Sequence, residues 1–384
     1  HTVSKNPFGT KAGGTKPIRD QKANLHRERQ PVNQYIATFF FFFFLVAGFH
    51  PAPHSAAVRS LYWDVAEDRL LIGTKGAELF ELSRLTGDAI LVSESHFDRT
   101  VQLQGLAVHP LRPELIVTAG GDHTVRLWHL EKRCVIAKTA LDGALQSVAF
   151  SPDGKWLAVG FGGSESSKNH KDGAFAVLDG QTLELLHEGR DSKLGALDMT
   201  FSPDLTLLAL ASADHCVYFY STLDNFSLRF KFSKPSGRAT RLDFAADSSM
   251  ARVSSDAFEL LFVSTMDGSQ ITSPASAADV TWASHKCLFA WDAQGVWDIA
   301  GKPDDHVHAL AKANTQEMLV AATNQGEIRV YNTPCLSRHT EQHKLHGHSL
   351  NVANVAFTCD DTRLVSIGAN DKSLFVWKVT KTKL

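Results

Sequence analysis

The chain has 384 residues, of which 43% are hydrophobic and 21% are charged, and its formal net charge is −2. This composition is ordinary for a folded globular protein, and it excludes a collagen-like or an intrinsically disordered chain. A net charge this small generates no strong global field, so the sequence predicts neither nucleic acid nor a membrane as a partner.

Five cysteines are scattered along the chain without a CxxC pair, at positions 134, 216, 287, 335 and 359. An odd, dispersed set argues against a disulfide framework and against a zinc site, and it favours a reducing compartment. We therefore expect a cytoplasmic protein. The chain begins at His1 rather than at methionine, which suggests a fragment or an incomplete gene model.

Residues 1–55 differ in character from the remainder. Residues 1–30 carry a net charge of +5 and show no apolar period, which predicts an irregular basic arm, either a solvated tail or a contact for an acidic surface. Residues 31–50 are uncharged and contain six successive phenylalanines, Phe39 to Phe44. The apolar core of about 13 residues is shorter than the roughly 20 that a spanning helix needs, so a buried strand or a translated non-coding stretch is favoured over a membrane anchor.

From Ala56 onward, short apolar strands alternate with turn clusters, the pattern of an all-β sandwich, barrel or propeller. One repeated segment is a strand followed by a tight turn. It occurs as Val148–Asp153, Met199–Asp204, Leu242–Asp247 and Val355–Asp360. Proline presets φ in the first two turns and aspartate closes all four, so these segments predict hairpin connections.

A second repeated segment places an aspartate six residues before an aromatic or apolar residue. The clearest copies are Asp122 with Trp128 and Asp371 with Trp377. Weaker copies bring the count to eight units, spaced by 33 to 50 residues, and the unit from Val280 to Ile299 is the most irregular. Repeats of this period indicate a radial or solenoid architecture. We predict a WD40-type β-propeller over residues 56–384 with about eight blades, or seven blades with an added unit.

These copies resemble WD repeats, in which a buried histidine, a serine or threonine, the turn aspartate and the tryptophan form a hydrogen-bonded chain. His348, Asp371 and Trp377 match this pattern, as do Thr118, Asp122 and Trp128, with His96 as a distant histidine for the second set. The last unit has no fourth strand after Trp377. Closure of the ring would then require a strand from residues before Ala56.

Two histidine-rich stretches, Asp304 to His308 and His343 to His348, are reminiscent of metal ligands. They lack cysteines or paired carboxylates at ligand spacing, so we expect no metal there and no cofactor. Gly160 to Gly163 lacks the Lys-Ser/Thr of a phosphate-binding loop, and there is no Gly-x-Ser-x-Gly motif. An enzyme is therefore disfavoured, and no catalytic residue is assigned.

Two features are candidate partner surfaces. Trp282, Trp291 and Trp297 crowd into the irregular unit, and tryptophan is enriched where binding energy concentrates. The polar insertion at 162–172 contains Ser164, Ser166 and Ser167, which are candidates for phosphorylation on an exposed loop.

Several stretches resemble the echinoderm microtubule-associated protein-like (EML) family. They include Asp172–Asp179, Leu183–Lys193, Arg241–Ser248 and Asn351–Phe357, and the most specific is Thr281-Trp-Ala with Gly295-Val-Trp297. The resemblance runs from about Gln104 to Val379 and implies the C-terminal propeller of that family's tandem pair. It also implies binding to tubulin or microtubules, including those of the ciliary axoneme. The competing hypothesis is a general WD-repeat scaffold for a complex unrelated to the cytoskeleton.

Overall fold

A computed structural model describes residues 57–64, 66, 68–83, 85–97, 102–163, 171–297, 306–315, 317–337 and 340–380. The basic arm, the phenylalanine run and the strand expected from them for closure lie outside these residues. In the described part, the regular structure is almost entirely antiparallel β-sheet.

The strands form seven sheets, each a meander in chain order. Sheet 1 contains β1 (Val58–Asp64), β2 (Arg69–Thr74), β3 (Glu78–Ser83) and β4 (Ala89–Glu94). Sheet 2 contains β5 (Leu103–Val108), β6 (Leu115–Gly120), β7 (Thr124–His129) and β8 (Cys134–Ala140). Sheet 3 contains β9 (Leu145–Phe150), β10 (Trp156–Phe161), β11 (Ala174–Asp179) and β12 (Leu185–Arg190).

The remaining sheets continue the same order. Sheet 4 contains β13 (Ala196–Phe201), β14 (Leu207–Ser212), β15 (Val217–Ser221) and β16 (Ser227–Phe232). Sheet 5 contains β17 (Ala239–Phe244), β18 (Met250–Ser255), β19 (Leu260–Ser264) and a very short β20 (Gln270–Ile271). Sheet 6 contains β21 (Val307–Lys312), β22 (Met318–Thr323), β23 (Glu327–Asn332) and β24 (Gln342–His346). Sheet 7 contains β25 (Val352–Phe357), β26 (Arg363–Gly368) and β27 (Leu374–Lys378).

Sheets 2 to 7 form a ring through their first strands. Strand β9 packs between β5 and β13, β13 packs against β17, β21 packs against β25, and β25 returns to β5. Each first strand therefore lies at the centre of the ring, and the fourth strands form its rim. The fold is a β-propeller, as the repeats predict.

The second strand of each ring sheet is buried on both faces along nearly its whole length, as in Leu115–Gly120 and Leu207–Ser212. Apolar side chains from adjacent sheets meet between them; for example, Phe219 of sheet 4 packs edge-on against Phe244 of sheet 5. Radial stacking buries both faces of a sheet that could not bury them alone. This explains the continuous apolar runs in the middle strands.

The expected turns connect the first and second strands. Ser151 donates a 2.7 Å hydrogen bond to Asp153, and Thr358 donates one of 2.6 Å to Asp360. Each aspartate also accepts the backbone N–H two residues later. These local bonds fix the turn and leave the strands to pair in register.

The most irregular of the predicted units, the sixth, from Val280 to Ile299, is not a sheet in its described residues, 280–297. Residues 272–297 instead contain two short 3₁₀ helices, Pro274–Ala277 and Trp291–Val296, and one isolated bridge from Trp282 to Ala245. This sheetless sector lies between sheets 5 and 6, whose first strands have little direct contact. The ring thus has seven sectors, six of which are sheets.

Sheet 1 stands apart from the ring. Its strands make few contacts with the other sheets within the described residues. It is joined to sheet 2 where β4 ends, because Glu94 pairs with Lys138 at 3.1 Å and with Arg126 at 3.4 Å. Strand β1 is exposed along its length, whereas the corresponding first strands of the ring are largely buried.

Candidate functional site: polar networks of the propeller

Thr118, Asp122 and Trp128 lie in one hydrogen-bonded chain with His96. The Trp128 indole donates to the Thr118 hydroxyl at 2.8 Å, and Thr118 lies 2.8 Å from His96 Nε2. His96 Nδ1 lies 2.8 Å from Asp122 Oδ1. A neutral imidazole protonated at Nδ1 satisfies every member, because Thr118 then donates to Nε2 and Nδ1 donates to the carboxylate. The chain ties the segment before β5 to β6 and β7.

Asp122 also accepts hydrogen bonds from two other side chains. Thr124 donates to Oδ1 at 2.8 Å and Arg126 donates to Oδ2 at 3.2 Å. Burial alone would raise the pKa of Asp122, but the hydrogen bond from His96 and the Arg126 guanidinium hold that pKa at about 2. Burial also lowers the pKa of His96 below 6.5, which keeps the imidazole neutral. The carboxylate is therefore ionised and fully engaged within the fold.

His348, Asp371 and Trp377 form a second chain through Ser366. The Trp377 indole donates to Ser366 at 2.9 Å, and Ser366 lies 2.8 Å from His348 Nε2. His348 Nδ1 lies 2.9 Å from the Ser373 hydroxyl and 3.4 Å from Asp371. Ser366 is not among the residues that the repeat pattern predicts. It stands five residues before its aspartate, whereas Thr118 stands four residues before its own, so a fixed spacing misses it.

Two glycines make room for the histidines. A Cβ added at Gly120 would lie 2.9 Å from His96 Nδ1, and one added at Gly368 would lie 2.7 Å from His348 Nδ1. A side chain at Gly120 would displace the imidazole, and one at Gly368 would collide with both the imidazole and the Asp371 carboxylate. The glycine that ends the second strand is thus part of each network.

The buried carboxylate of Asp243 holds the sheetless sector to sheet 5. The repeat pattern of the sequence does not predict this residue. Asp243, whose side chain is 0% exposed, accepts hydrogen bonds from Arg252 Nε at 2.9 Å and from Ser284 at 2.5 Å. It also accepts the backbone N–H groups of Lys286 and Cys287 at 2.9 and 3.0 Å. Burial would raise the pKa of Asp243, but the charges of Arg252 and Lys286 hold it at about 2.

Lys286 extends this network towards the next sheet. Its ammonium group donates to both carboxylate oxygens of Asp198 on β13, at 2.7 and 2.9 Å. Asp198 in turn accepts the backbone N–H of Leu242 at 2.9 Å. The sector, sheet 5 and sheet 4 are therefore connected by charged side chains close to the centre of the ring.

The three candidate tryptophans lie in different surroundings. The Arg252 guanidinium stacks 4.4 Å from the Trp282 ring. Trp297 donates to the Leu288 carbonyl at 2.9 Å and stacks on Phe289. Trp291 is 66% exposed. The structure therefore uses Trp282 and Trp297 for internal packing and leaves Trp291 accessible to a partner.

The remaining candidate residues are those of the serine-rich insertion and of the histidine-rich stretches. Ser164, Ser166, Ser167 and Asp304 lie outside the described residues. Within the described ranges, no three His, Cys, Asp or Glu side chains gather closely enough to hold a metal ion. Among the same residues, no helix has the length and apolar character to cross a bilayer. The buried polar groups described above hydrogen-bond with one another and hold the sheets together.

Comparison with known proteins identifies the repeat. Residues 103–379 match the family model described as the echinoderm microtubule-associated protein second beta-propeller. The match begins at the first strand of sheet 2 and ends just after β27, so it coincides with the ring and excludes sheet 1.

Individual relatives agree with the family model. The chain is 31% identical to echinoderm microtubule-associated protein-like 2 of Mus musculus over 315 aligned residues. The aligned region covers 81% of this chain and 46% of that protein. It is 29% identical over 313 residues to echinoderm microtubule-associated protein-like 1 of Rattus norvegicus, which covers 81% of this chain and 37% of that protein. The chain thus spans less than half the length of these relatives. These matches show that the chain belongs to the echinoderm microtubule-associated protein-like family.

Proposed function

We propose that this chain is a non-catalytic module that binds tubulin in microtubules and helps to organise the microtubule cytoskeleton in the cytoplasm. The observation that carries the proposal is the match of the whole ring to a propeller family of microtubule-associated proteins. Axonemal microtubules in a cilium or flagellum are the specialised form of the same partner.

The polar networks support a binding role. His96, Asp122, His348 and Asp243 are buried and bonded internally, so they hold the sheets together rather than face a substrate. A rigid ring positions its loops and rim with little loss of conformational entropy on binding. The exposed Trp291 belongs to the surface that we expect to contact the partner.

Co-sedimentation with polymerised tubulin tests the proposal. The purified chain is expected to pellet with microtubules in a saturable manner, less so as salt rises, and to stay in solution without polymer. A second protein lacking residues 1–55 separates the contribution of the basic arm from that of the propeller. Failure of the full chain to pellet at low salt would contradict the proposal and favour a scaffold for other complexes.

A further inference from the structure

The rim of the ring has one strand with an unusual charge pattern. Strand β16 and the two residues after it read Ser-Leu-Arg-Phe-Lys-Phe-Ser-Lys, with three cations and no acidic residue. Arg229, Lys231 and Lys234 are all exposed. Residues 31–384 carry a net charge of −7, so the positive charge of this strand is opposite in sign to that of the part of the chain in which it lies.

The cations of β16 are also paired differently from the lysines of two other rim strands. Lys138 on β8 pairs with Glu94 at 3.1 Å, and Lys344 on β24 pairs with Glu327 at 3.2 Å. Arg229 instead donates to the Met266 carbonyl at 3.2 Å, and the Lys231 ammonium lies 4.8 Å from the centre of the Tyr218 ring.

A carbonyl group and an aromatic ring carry no net charge, so these partners do not neutralise the positive charge of β16. Within the described residues, Arg229, Lys231 and Lys234 take part in no ion pair with a carboxylate. Contact with Tyr218 raises the pKa of Lys231 to about 12, so this ammonium stays charged at neutral pH. The charges are therefore available to an incoming anion.

Strand β16 is the last strand of its sheet, and its outer backbone edge is unpaired within the described part of the chain. An extended peptide can add to such an edge through main-chain hydrogen bonds, while its alternate side chains determine specificity. The register of β15 against β16 passes from Phe230 to Leu228, so Arg229 is the extra residue of a β-bulge on this strand. Carboxylates along an added strand would complement the charges of Arg229 and Lys231.

We propose that the outer edge of β16, with Lys234, is a docking site for an extended acidic peptide segment. The proposed function identifies the polymer that supplies this segment, and to that extent the proposal rests on it. That the segment is extended and acidic follows from the edge and the charges of β16 alone.

Fluorescence anisotropy of a labelled oligo-glutamate peptide with the full chain tests the inference. The double charge reversal Arg229→Glu with Lys231→Glu is expected to weaken binding about tenfold or more, because attraction becomes repulsion over a distance shorter than the Debye length. A second variant, Arg229→Glu with Lys234→Glu, preserves the contact of Lys231 with Tyr218 in case the first fails to fold. The matched control reverses Lys138 and Lys344 on other rim strands and is expected to bind like the unchanged chain.

The inference is overturned if peptide binding weakens equally in the control and in the β16 variants, or if it weakens in neither. Unchanged peptide binding together with new self-association of the β16 variants would also overturn it, because edge cations would then serve only to keep copies apart. Microtubule co-sedimentation of the same proteins is read separately. A chain that binds the peptide but never pellets with microtubules contradicts the proposed function and leaves the docking site standing.

Discussion

Removal of the Asp243 carboxylate should destabilise the ring at its sheetless sector. In Asp243→Ala, the Arg252 side chain, only 3% exposed, loses the carboxylate that neutralises it. The backbone N–H groups of Lys286 and Cys287 lose their acceptor at the same time. Lys286 retains its pairing with Asp198, so Arg252 is the cation left buried without a counter-charge.

Breaking a buried ion pair from one side costs about 3–5 kcal/mol, and unsatisfied buried donors contribute to that loss. We expect the free energy of unfolding to fall by about this amount, measured by urea titration with far-ultraviolet circular dichroism. The control Asp279→Ala changes an exposed aspartate in the same sector and should alter stability by about 0.5 kcal/mol or less.

A double variant isolates the pair. Asp243→Ala combined with Arg252→Met removes the orphaned cation and should recover part of the lost stability, since apolar replacement of a buried pair is often close to neutral. If Asp243→Ala lowers the free energy of unfolding by less than about 1 kcal/mol, Asp243 does not hold the sheetless sector to sheet 5 as assigned.

Three further predictions follow from the networks and the exposed surface. Thr118→Val breaks one hydrogen-bonded chain at its centre and should cost about 1–3 kcal/mol in urea unfolding, whereas the exposed Thr182→Val should not; equal effects would contradict the role of the chain. Burial lowers the pKa of His96 and His348 below 6.5, so the unfolded chain binds more protons below that pH. Stability should be full above pH 6.5 and decline below it by up to about 1.4 kcal/mol per pH unit and histidine; a urea midpoint unchanged from pH 7.5 to 5.5 would argue against this reasoning. Trp291→Ala should keep the unfolding midpoint and weaken microtubule co-sedimentation, and undiminished pelleting would remove Trp291 from the partner surface.

Much of the architecture could be predicted because the repeats are encoded locally. The four strand–turn copies and the Asp122–Trp128 and Asp371–Trp377 frames mark hairpins by turn chemistry and by alternation along the strand. Such signals depend on residues only a few positions apart. They indicate the type of unit and the approximate positions of the hairpins.

The repeats leave the count open between eight blades and seven blades with an added unit, and local signals do not decide between the two. Asp292 and Trp297 resemble a weak repeat copy, yet they belong to a 3₁₀ helix and its cap, because the contacts that fix this sector come from distant residues. Asp243 binds residues about 40 positions later, and Lys286 reaches back 88 positions to Asp198. No local period reports such pairings. The sequence of sheet 1 resembles that of a blade for a related reason, because a four-stranded meander has the same local pattern inside and outside a ring.

Cryo-electron microscopy of microtubules decorated with this chain tests the account most directly. We predict regularly spaced density on the lattice, in which a ring of six sheets is closed by one sector without a sheet. A bare lattice at saturating protein would contradict the proposed function, and a ring in which residues 280–297 form a regular sheet would contradict the fold described here.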